Sequence, residues 1–354
     1  MDKINICIIG AGNISNTRHI PAILKNKIKP VGVISITQDN INRTLNKYPF
    51  FKYSLLINEL ENIEEQLKNS SWFMNNIDAV VIGTPPKSHF SMVKACLNLD
   101  KHVLIEKPMM MSVSECDDVI ELSERKKKIL NVVHSFQYAH GIMKLEKIVK
   151  HGDLGEINSI VEIQFSNRTR RLPVWYNDLP LGLFYDEAAH FFYSAMRFGG
   201  DLRIENANIQ ESKIKGNTPC HLSVQAYAGN IPVQMYMNFD APLCEWYLLL
   251  LGTKKMALYD FFKDILIILD NDQQHLAFNV LKTSKRYSIE FWKQFIKNGF
   301  QLITNNLLYG HDKVIRYFLD AIKTKKSSPL LSAELGKKVV TAMNNVVNLA
   351  KNNN

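Results

Sequence analysis

Cysteine is scarce and scattered in this chain. Five occur in 354 residues, Cys7, Cys96, Cys116, Cys220 and Cys244. Their odd number and irregular spacing fit neither a disulfide framework nor a zinc site, so reduced, mostly buried thiols, a cytoplasmic location and no metal ligands are expected. No stretch approaches about 18 uncharged apolar residues, which excludes a membrane-spanning segment. The first residues enter a strand at once, without the regions of a signal peptide. Internal repeats are lacking. The formal net charge is +9, but the lysines are dispersed through a Lys-, Asn- and Ile-rich sequence. Compositional bias accounts for the charge, and neither nucleic acid nor membrane is an expected partner. With 46% hydrophobic residues the chain is long enough to bury two cores.

Two patterns divide it. Through residue 133, short β-branched runs alternate with helical periodicity. The strands are Ile4–Ile9, Val31–Ile36, Ile77–Ile82, His102–Ile105 and Ile129–Val133; the helices are Ser15–Leu24, Asn58–Lys68, Ser88–Leu97 and Ser112–Lys127. Runs apolar on both faces, joined by helices, describe a doubly wound parallel sheet. Glu59–Asn76 is longer than the connection needs and reads as an excursion. After a helix at Ile142–Lys150, strands follow one another: Ile157–Phe165, Ile204–Glu211, His221–Tyr227, Val233–Phe239, Trp246–Gly252, Lys255–Tyr259 and Ile265–Leu269. Only one helix, about Phe184–Arg197, interrupts them, which predicts an α+β domain with a large, mostly antiparallel sheet. The chain turns helical again from Ser288 and ends in an amphipathic helix, Ala333–Leu349. The domains are expected at 1–133 and 134–354, with helices of about 311–350 packing back toward their junction.

Four segments carry candidate chemistry. The first strand runs into Gly10-Ala11-Gly12-Asn13-Ile14-Ser15, a glycine turn at a helix start. Gly10 permits the turn, Gly12 admits a phosphate to the backbone, and the free N–H groups of the new helix face negative charge. With Asn13 and Ile14 these residues form a candidate dinucleotide-binding turn; the plain alternative is an ordinary strand-to-helix connection. Thr84-Pro85-Pro86 follows the third strand run, with His89 one turn on, either as a rigid floor to a ligand crevice or as a helix start with proline in its first turn. Glu106-Lys107-Pro108 sets an acid and a base at the end of another strand. A lysine at a cleft mouth can stabilise developing negative charge; most lysines are merely solvated. Asp186 and His190 are four apart, on one helical face. An imidazole is a natural base for an alcohol proton, with a carboxylate to orient it; a satisfied core histidine is the alternative.

The order of glycine turn, Thr-Pro-Pro, Glu-Lys-Pro and Gly182-x-x-x-Asp186-x-x-x-His190 resembles the glucose–fructose oxidoreductase and inositol dehydrogenase family, Gfo/Idh/MocA, over essentially the whole chain. The junction His151-Gly152-Asp153-Leu154-Gly155 and the Pro329–Leu335 helix start belong to the resemblance. It implies an N-terminal Rossmann domain carrying NAD or NADP and a C-terminal open sheet that mediates a homo-oligomer, a dimer or tetramer. It further implies hydride transfer at a carbon bearing oxygen on a sugar-like substrate. Carried over, Lys107 binds substrate and assists proton transfer, Asp186 contacts substrate, and His190 is the acid/base. Thr84, Pro85, Pro86, His89, Glu106 and Lys107 then line the cofactor. The competing expectation is a catalytically silent, cofactor-binding sensor of the same fold.

Two features refine this reading. The second strand ends Val33-Ile34-Ser35-Ile36-Thr37, without the acid that grips the adenosine ribose in NAD-preferring enzymes. Ser35, Thr37 and Arg43 suit a 2′-phosphate, so NADP is slightly favoured. The segment Asn167-Arg168-Thr169-Arg170-Arg171 leaves a strand with three arginines, and Trp175 and Tyr176 follow. Arginine forks on an anion and aromatic rings on a sugar point to a nucleotide-linked or phosphorylated sugar; a solvated basic loop or a subunit contact is the alternative.

Overall fold

The computed structural model describes residues 4–170, 174–214, 216–304 and 306–352, with Arg170 described in its backbone only. The chain forms two compact units, Met1–Ser135 with Gly310–Thr341, and Phe136–Tyr309 with Ala342–Asn354.

In the first unit, β1 (Ile6–Ile9), β2 (Gly32–Ser35), β3 (Tyr53–Leu56), β4 (Ala79–Ile82), β5 (His102–Ile105) and β6 (Leu130–Val132) pair in parallel in the order β3-β2-β1-β4-β5-β6. Every residue of β1, β2 and β4 is buried, as expected of strands with helices on both faces. The strand order reverses between β1 and β4, and a sheet of this kind opens a ligand crevice beyond the strand ends at that point. β3 has no counterpart in the sequence pattern. It is an edge strand, half-buried, so it carries no unbroken apolar run. Residues 59–76 form two short helices, Ile63–Lys68 and Ser71–Asn76, whose Leu67 and Phe73 enter the core.

The second unit does not extend unbroken over 134–354, as the strand pattern suggested, because residues 310–341 belong to the first. The helix His311–Thr324 buries Val314, Ile315 and Phe318 and packs on the helix Ile20–Lys25. Asn26 donates to the Asp312 carbonyl at 2.8 Å. Farther on, Asn131 of β6 donates to the Leu331 carbonyl at 3.0 Å. A Cβ at Gly336 would meet Val132 Cγ2 at 2.8 Å, so backbones approach closely there.

The second unit is a seven-stranded sheet. Its strands are β7 (Ile157–Asn167), β8 (Leu202–Gln210), β9 (His221–Ala228), β10 (Ile231–Asn238), β11 (Asp240–Gly252), β12 (Lys255–Asp260) and β13 (Ile265–Asp270), in the order β13-β12-β11-β7-β10-β9-β8. Only β7 and β10 pair in parallel. The helix expected at Phe184–Arg197 is two, Leu183–Glu187 and Ala189–Gly199, broken at Ala188. The later helix starts at Ala277, not Ser288, and runs to Ile303. A buried carboxylate joins sheet to helix. Asp264, beyond β12, accepts from Gly141 N at 2.8 Å, His140 N at 3.1 Å and the Tyr259 hydroxyl at 2.9 Å, and so caps the helix His140–Lys150 from outside its own chain segment. Asp264→Ala removes the acceptor of all three donors, two of them buried. It should lower unfolding free energy by about 2–4 kcal/mol, read from urea denaturation; a change within error would show the cap to be dispensable.

Candidate functional site

In the first unit the glycine turn lies at the strand-order reversal. Gly10 has φ +92°, and a Cβ there would lie 2.6 Å from the Gly83 carbonyl oxygen and 2.8 Å from Thr84 Cγ2. Its N–H donates to Ile34 O at 2.8 Å. Only glycine satisfies both the left-handed conformation and the close approach of the β1 and β4 ends. Gly12 differs: a Cβ built there meets nothing within 4 Å, so the backbone is open to an approaching group. Asn13 is exposed and Ile14 half-buried where the helix begins. Ser15, at the place of a third glycine, is buried and turns its hydroxyl back onto Gly10 O at 2.5 Å. The turn is thus braced from behind and open in front, which fits a dinucleotide pyrophosphate.

At the end of β2, Ser35 is buried, while Thr37 and Arg43 are exposed. Beyond β4, Thr84 is half-buried, Pro85 exposed and Pro86 buried. His89, expected among the cofactor contacts, lies inside the fold. It is fully buried, with Nε2 2.9 Å from Thr84 O and Nδ1 2.9 Å from Pro108 O. Burial pushes its pKa below the ordinary histidine value, against carbonyls that favour the charged ring. The ring holds the Thr84 and Pro108 loops together, so its part in the crevice is positional.

Beyond β5, Glu106 is buried and Lys107 half-buried. Glu106 Oε1 lies 2.8 Å from His19 Nε2 and 3.9 Å from His311 Nε2, and Oε2 accepts from Lys107 N at 3.1 Å. Burial alone would raise this carboxyl's pKa. The His19 hydrogen bond and charge, then His311 and Lys107, outweigh that and pull it down to about 2. Nothing in the sequence pattern links these residues; His19 and His311 reach Glu106 only through folding. Three ligand-type atoms within 4.8 Å of one another have the composition of a metal site. The 2.8 Å His19–Glu106 separation is that of a hydrogen bond, however, and two ligands about 2.0–2.1 Å from a tetrahedral ion stand farther apart. The trio acts as a buried polar brace behind Lys107.

In the second unit, Asp186 and His190 lie in the paired helices and both are buried. His190 Nδ1 is 2.6 Å from the Tyr193 hydroxyl. That partner sits three residues on in the sequence, a helical neighbour at a spacing as legible as that of Asp186. The Tyr193 oxygen also accepts from Phe136 N at 3.3 Å. Phe136 stands edge-on to the imidazole at 4.9 Å and Trp246 lies at 5.6 Å, so aromatic rings fix its orientation.

Of the three arginines after β7, the structure describes the side chain of Arg168. Arg168 is buried and pairs with Asp240 at 2.6 Å, and it donates to Thr218 O at 3.1 Å and Pro219 O at 3.2 Å. Its Nη2 holds the loop before β9. Tyr176 is also buried, with its hydroxyl on Arg168 O at 3.3 Å, and so is unavailable for stacking. Trp175 is half-buried. Arg171 and the Arg170 side chain lie outside the described residues.

These features define a two-unit α/β protein with a dinucleotide-binding first unit. Residues 4–134 match the model of the Gfo/Idh/MocA oxidoreductase family, NAD-binding Rossmann fold. The similarity to this family covers residues 4–134 of the 354, and the first unit is a nicotinamide-dinucleotide domain. It is 30% identical over 118 residues to 1-carboxy-3-chloro-3,4-dihydroxycyclo hexa-1,5-diene dehydrogenase of Comamonas testosteroni, a match covering 32% of this chain and 30% of that one. It is 20% identical over 245 residues to scyllo-inositol 2-dehydrogenase (NADP(+)) IolW of Bacillus subtilis, covering 68% and 64%. Each match spans less than two thirds of the relative's length. The fold is shared with the 3-ketoreductase KijD10 of Actinomadura kijaniata, solved as a variant with TDP-benzene and NADP. There the TM-score is 0.76 and the identity 15%, over 98% of this chain and 97% of that one. Among the described residues, no helix is long and apolar enough to cross a membrane.

The Glu106 brace has a pH signature. Its folded pKa lies below the ordinary 4.5, so its contribution to stability is complete above about pH 4.5 and fades as pH falls toward 2. The stability gap between wild type and Glu106→Gln should therefore be widest near neutrality and narrow in acid. Denaturant unfolding across a pH series checks this, and a constant gap contradicts it.

Proposed function

We propose that the protein is an NAD(P)-dependent oxidoreductase that interconverts a secondary alcohol and a carbonyl on a sugar-like substrate. The observation that carries this is the glycine turn, closed by Gly83 behind Gly10 and open at Gly12. Gly10, Gly12, Asn13 and Ile14 would hold the pyrophosphate. The bound dinucleotide supplies the hydride acceptor or donor.

The chain's own residues handle the proton and the charge. Lys107 donates to the substrate oxygen and stabilises negative charge as it develops there, while Glu106 and its histidines hold the preceding backbone. Asp186 binds a substrate hydroxyl. His190 exchanges the proton. The Tyr193 oxygen accepts from Phe136 N–H and from Nδ1–H, which leaves the lone pair on Nε2, the atom assigned to the exchange. The finer substrate reading, a nucleotide-linked or phosphorylated sugar, is supported by the sequence positions of Arg170 and Arg171 and by the TDP compound in the fold neighbour; Arg168 adds nothing to it.

Positioned proton transfer supplies about 10²–10⁴ in rate. His190→Ala should lose that much turnover on a panel of free sugars, sugar phosphates and nucleotide sugars, with cofactor affinity intact. Tyr193→Phe should cost about tenfold and displace the pH–rate profile, since it removes the hydrogen bond that sets the imidazole's tautomer. Cofactor binding without turnover of any substrate in the wild type would favour the silent sensor.

For the cofactor, Ser35, Thr37 and Arg43 support NADP over NAD. Ser35→Asp should weaken NADPH binding on the order of tenfold or more, because a carboxylate would face the 2′-phosphate, and leave NADH binding equal or better. Fluorescence titration of both reduced cofactors decides it. Tighter NADH binding in the wild type, unmoved by the substitution, overturns the assignment.

A further inference from the structure

The helix Ala277–Ile303 is built inside out. Its inward face makes its hydrogen bonds through polar side chains, with the half-buried Phe291 at a neighbouring helical position. Gln294 bridges Leu266, accepting from its N at 2.9 Å and donating to its O at 2.6 Å. Asn298 donates to Lys263 O at 3.0 Å and Asp264 O at 2.7 Å, and Asn279 donates to Asp272 O at 2.8 Å. Arg286 pairs with Asp270. Asn298 is the helix's buried residue. The outward face is apolar: Phe278 is 76% exposed, Leu281 68%, Trp292 58%, Ile296 68%, Phe300 70% and Ile303 83%. At 3.6 residues per turn these positions fall on one stripe about 40 Å long. Lys285 falls on the same stripe between Leu281 and Trp292, and an exposed apolar stripe of this length marks a contact surface.

The charges select what covers it. Lys282, Lys285, Lys293 and Lys297 are all exposed. Within the helix five basic residues stand against one acid, Glu290, a net of +4. Lys282, Lys293 and Lys297 follow one edge of the stripe. An antiparallel pairing centred on the same helix of a second copy would set Lys282 beside Lys297, like charge on like. An anionic lipid surface meets the same edge with opposite charge, and it accepts Trp and Phe at headgroup depth while lysine stems reach out to the phosphates. We propose that Ala277–Ile303 lies flat on an anionic membrane surface, with its apolar stripe in the interface and its polar face on the sheet. The absence of a long apolar run in the sequence does not bear on this, because a helix lying in the plane needs a sided pattern and no spanning length.

Flotation of the full-length protein tests it, with phosphatidylcholine vesicles alone and with vesicles in which a third of the lipid is phosphatidylglycerol. The protein should float with the anionic vesicles only, less so at high salt, and tryptophan emission should shift to the blue on binding. Trp292→Phe should abolish that shift. Lys293→Glu with Lys297→Glu should reduce the bound fraction about tenfold or more, with the circular dichroism and the cooperative unfolding transition unchanged. Failure to float, or equal flotation on neutral lipid, overturns the proposal. So does a dimer, seen by light scattering without lipid, that Trp292→Ser or Phe300→Ser dissociates, since a second copy would then cover the stripe.

Discussion

The first unit depends on a close approach of two backbones. The ends of β1 and β4 come so near that a single methyl group at Gly10 would sit 2.6 Å from Gly83 O. That contact fixes the angle at which the chain leaves β1, and hence where the helix beginning at residue 13 presents its N–H groups. Ser15 takes up the slack by bonding back to Gly10. A third glycine is unnecessary once a small side chain has this local acceptor. The opening at Gly12 follows, because the backbone is held from behind and nothing is packed in front.

Around that turn, buried polar groups tie segments distant in sequence. His89 spans Thr84 and Pro108, and Glu106 gathers His19 and His311. Each buried carboxylate or imidazole would be costly alone and is tolerated because its partners are fixed by regular structure. The segment 310–341 joins the first unit for the same reason. Its apolar face packs on the helix Ile20–Lys25, and its His311 stands beside the Glu106 carboxylate. In the second unit Asp264 and Arg168 have comparable tasks, one capping a helix and the other closing a loop. Arginine and aspartate at such positions mimic ligand-binding residues in sequence while bonding within the fold.

The helix Ala277–Ile303 follows another rule. Elsewhere apolar residues seal the core and polar groups face out, whereas here amides and a guanidinium make the intramolecular contacts. Those bonds hold the helix against β13 without consuming its apolar side chains, which stay available for a surface outside the chain.

The sequence by itself determined the two sheets and most of the strand limits. Burial on both faces writes an apolar run and burial on one face writes an alternation, and both are local. It also determined the glycine turn and the positions of Glu106, Lys107, Asp186 and His190, since steric permission and residue chemistry are properties of single residues. β3 escaped because an edge strand is only half covered. The start of the long helix escaped because its apolar residues are not core residues. Tertiary structure alone decided that 310–341 belongs with the first unit, that His19 and His311 meet Glu106, and that Arg168 and Tyr176 bond internally. It also decided that Tyr193 holds His190. Which buried polar group finds which partner depends on chain segments brought together from far apart, and local spacing does not carry that information.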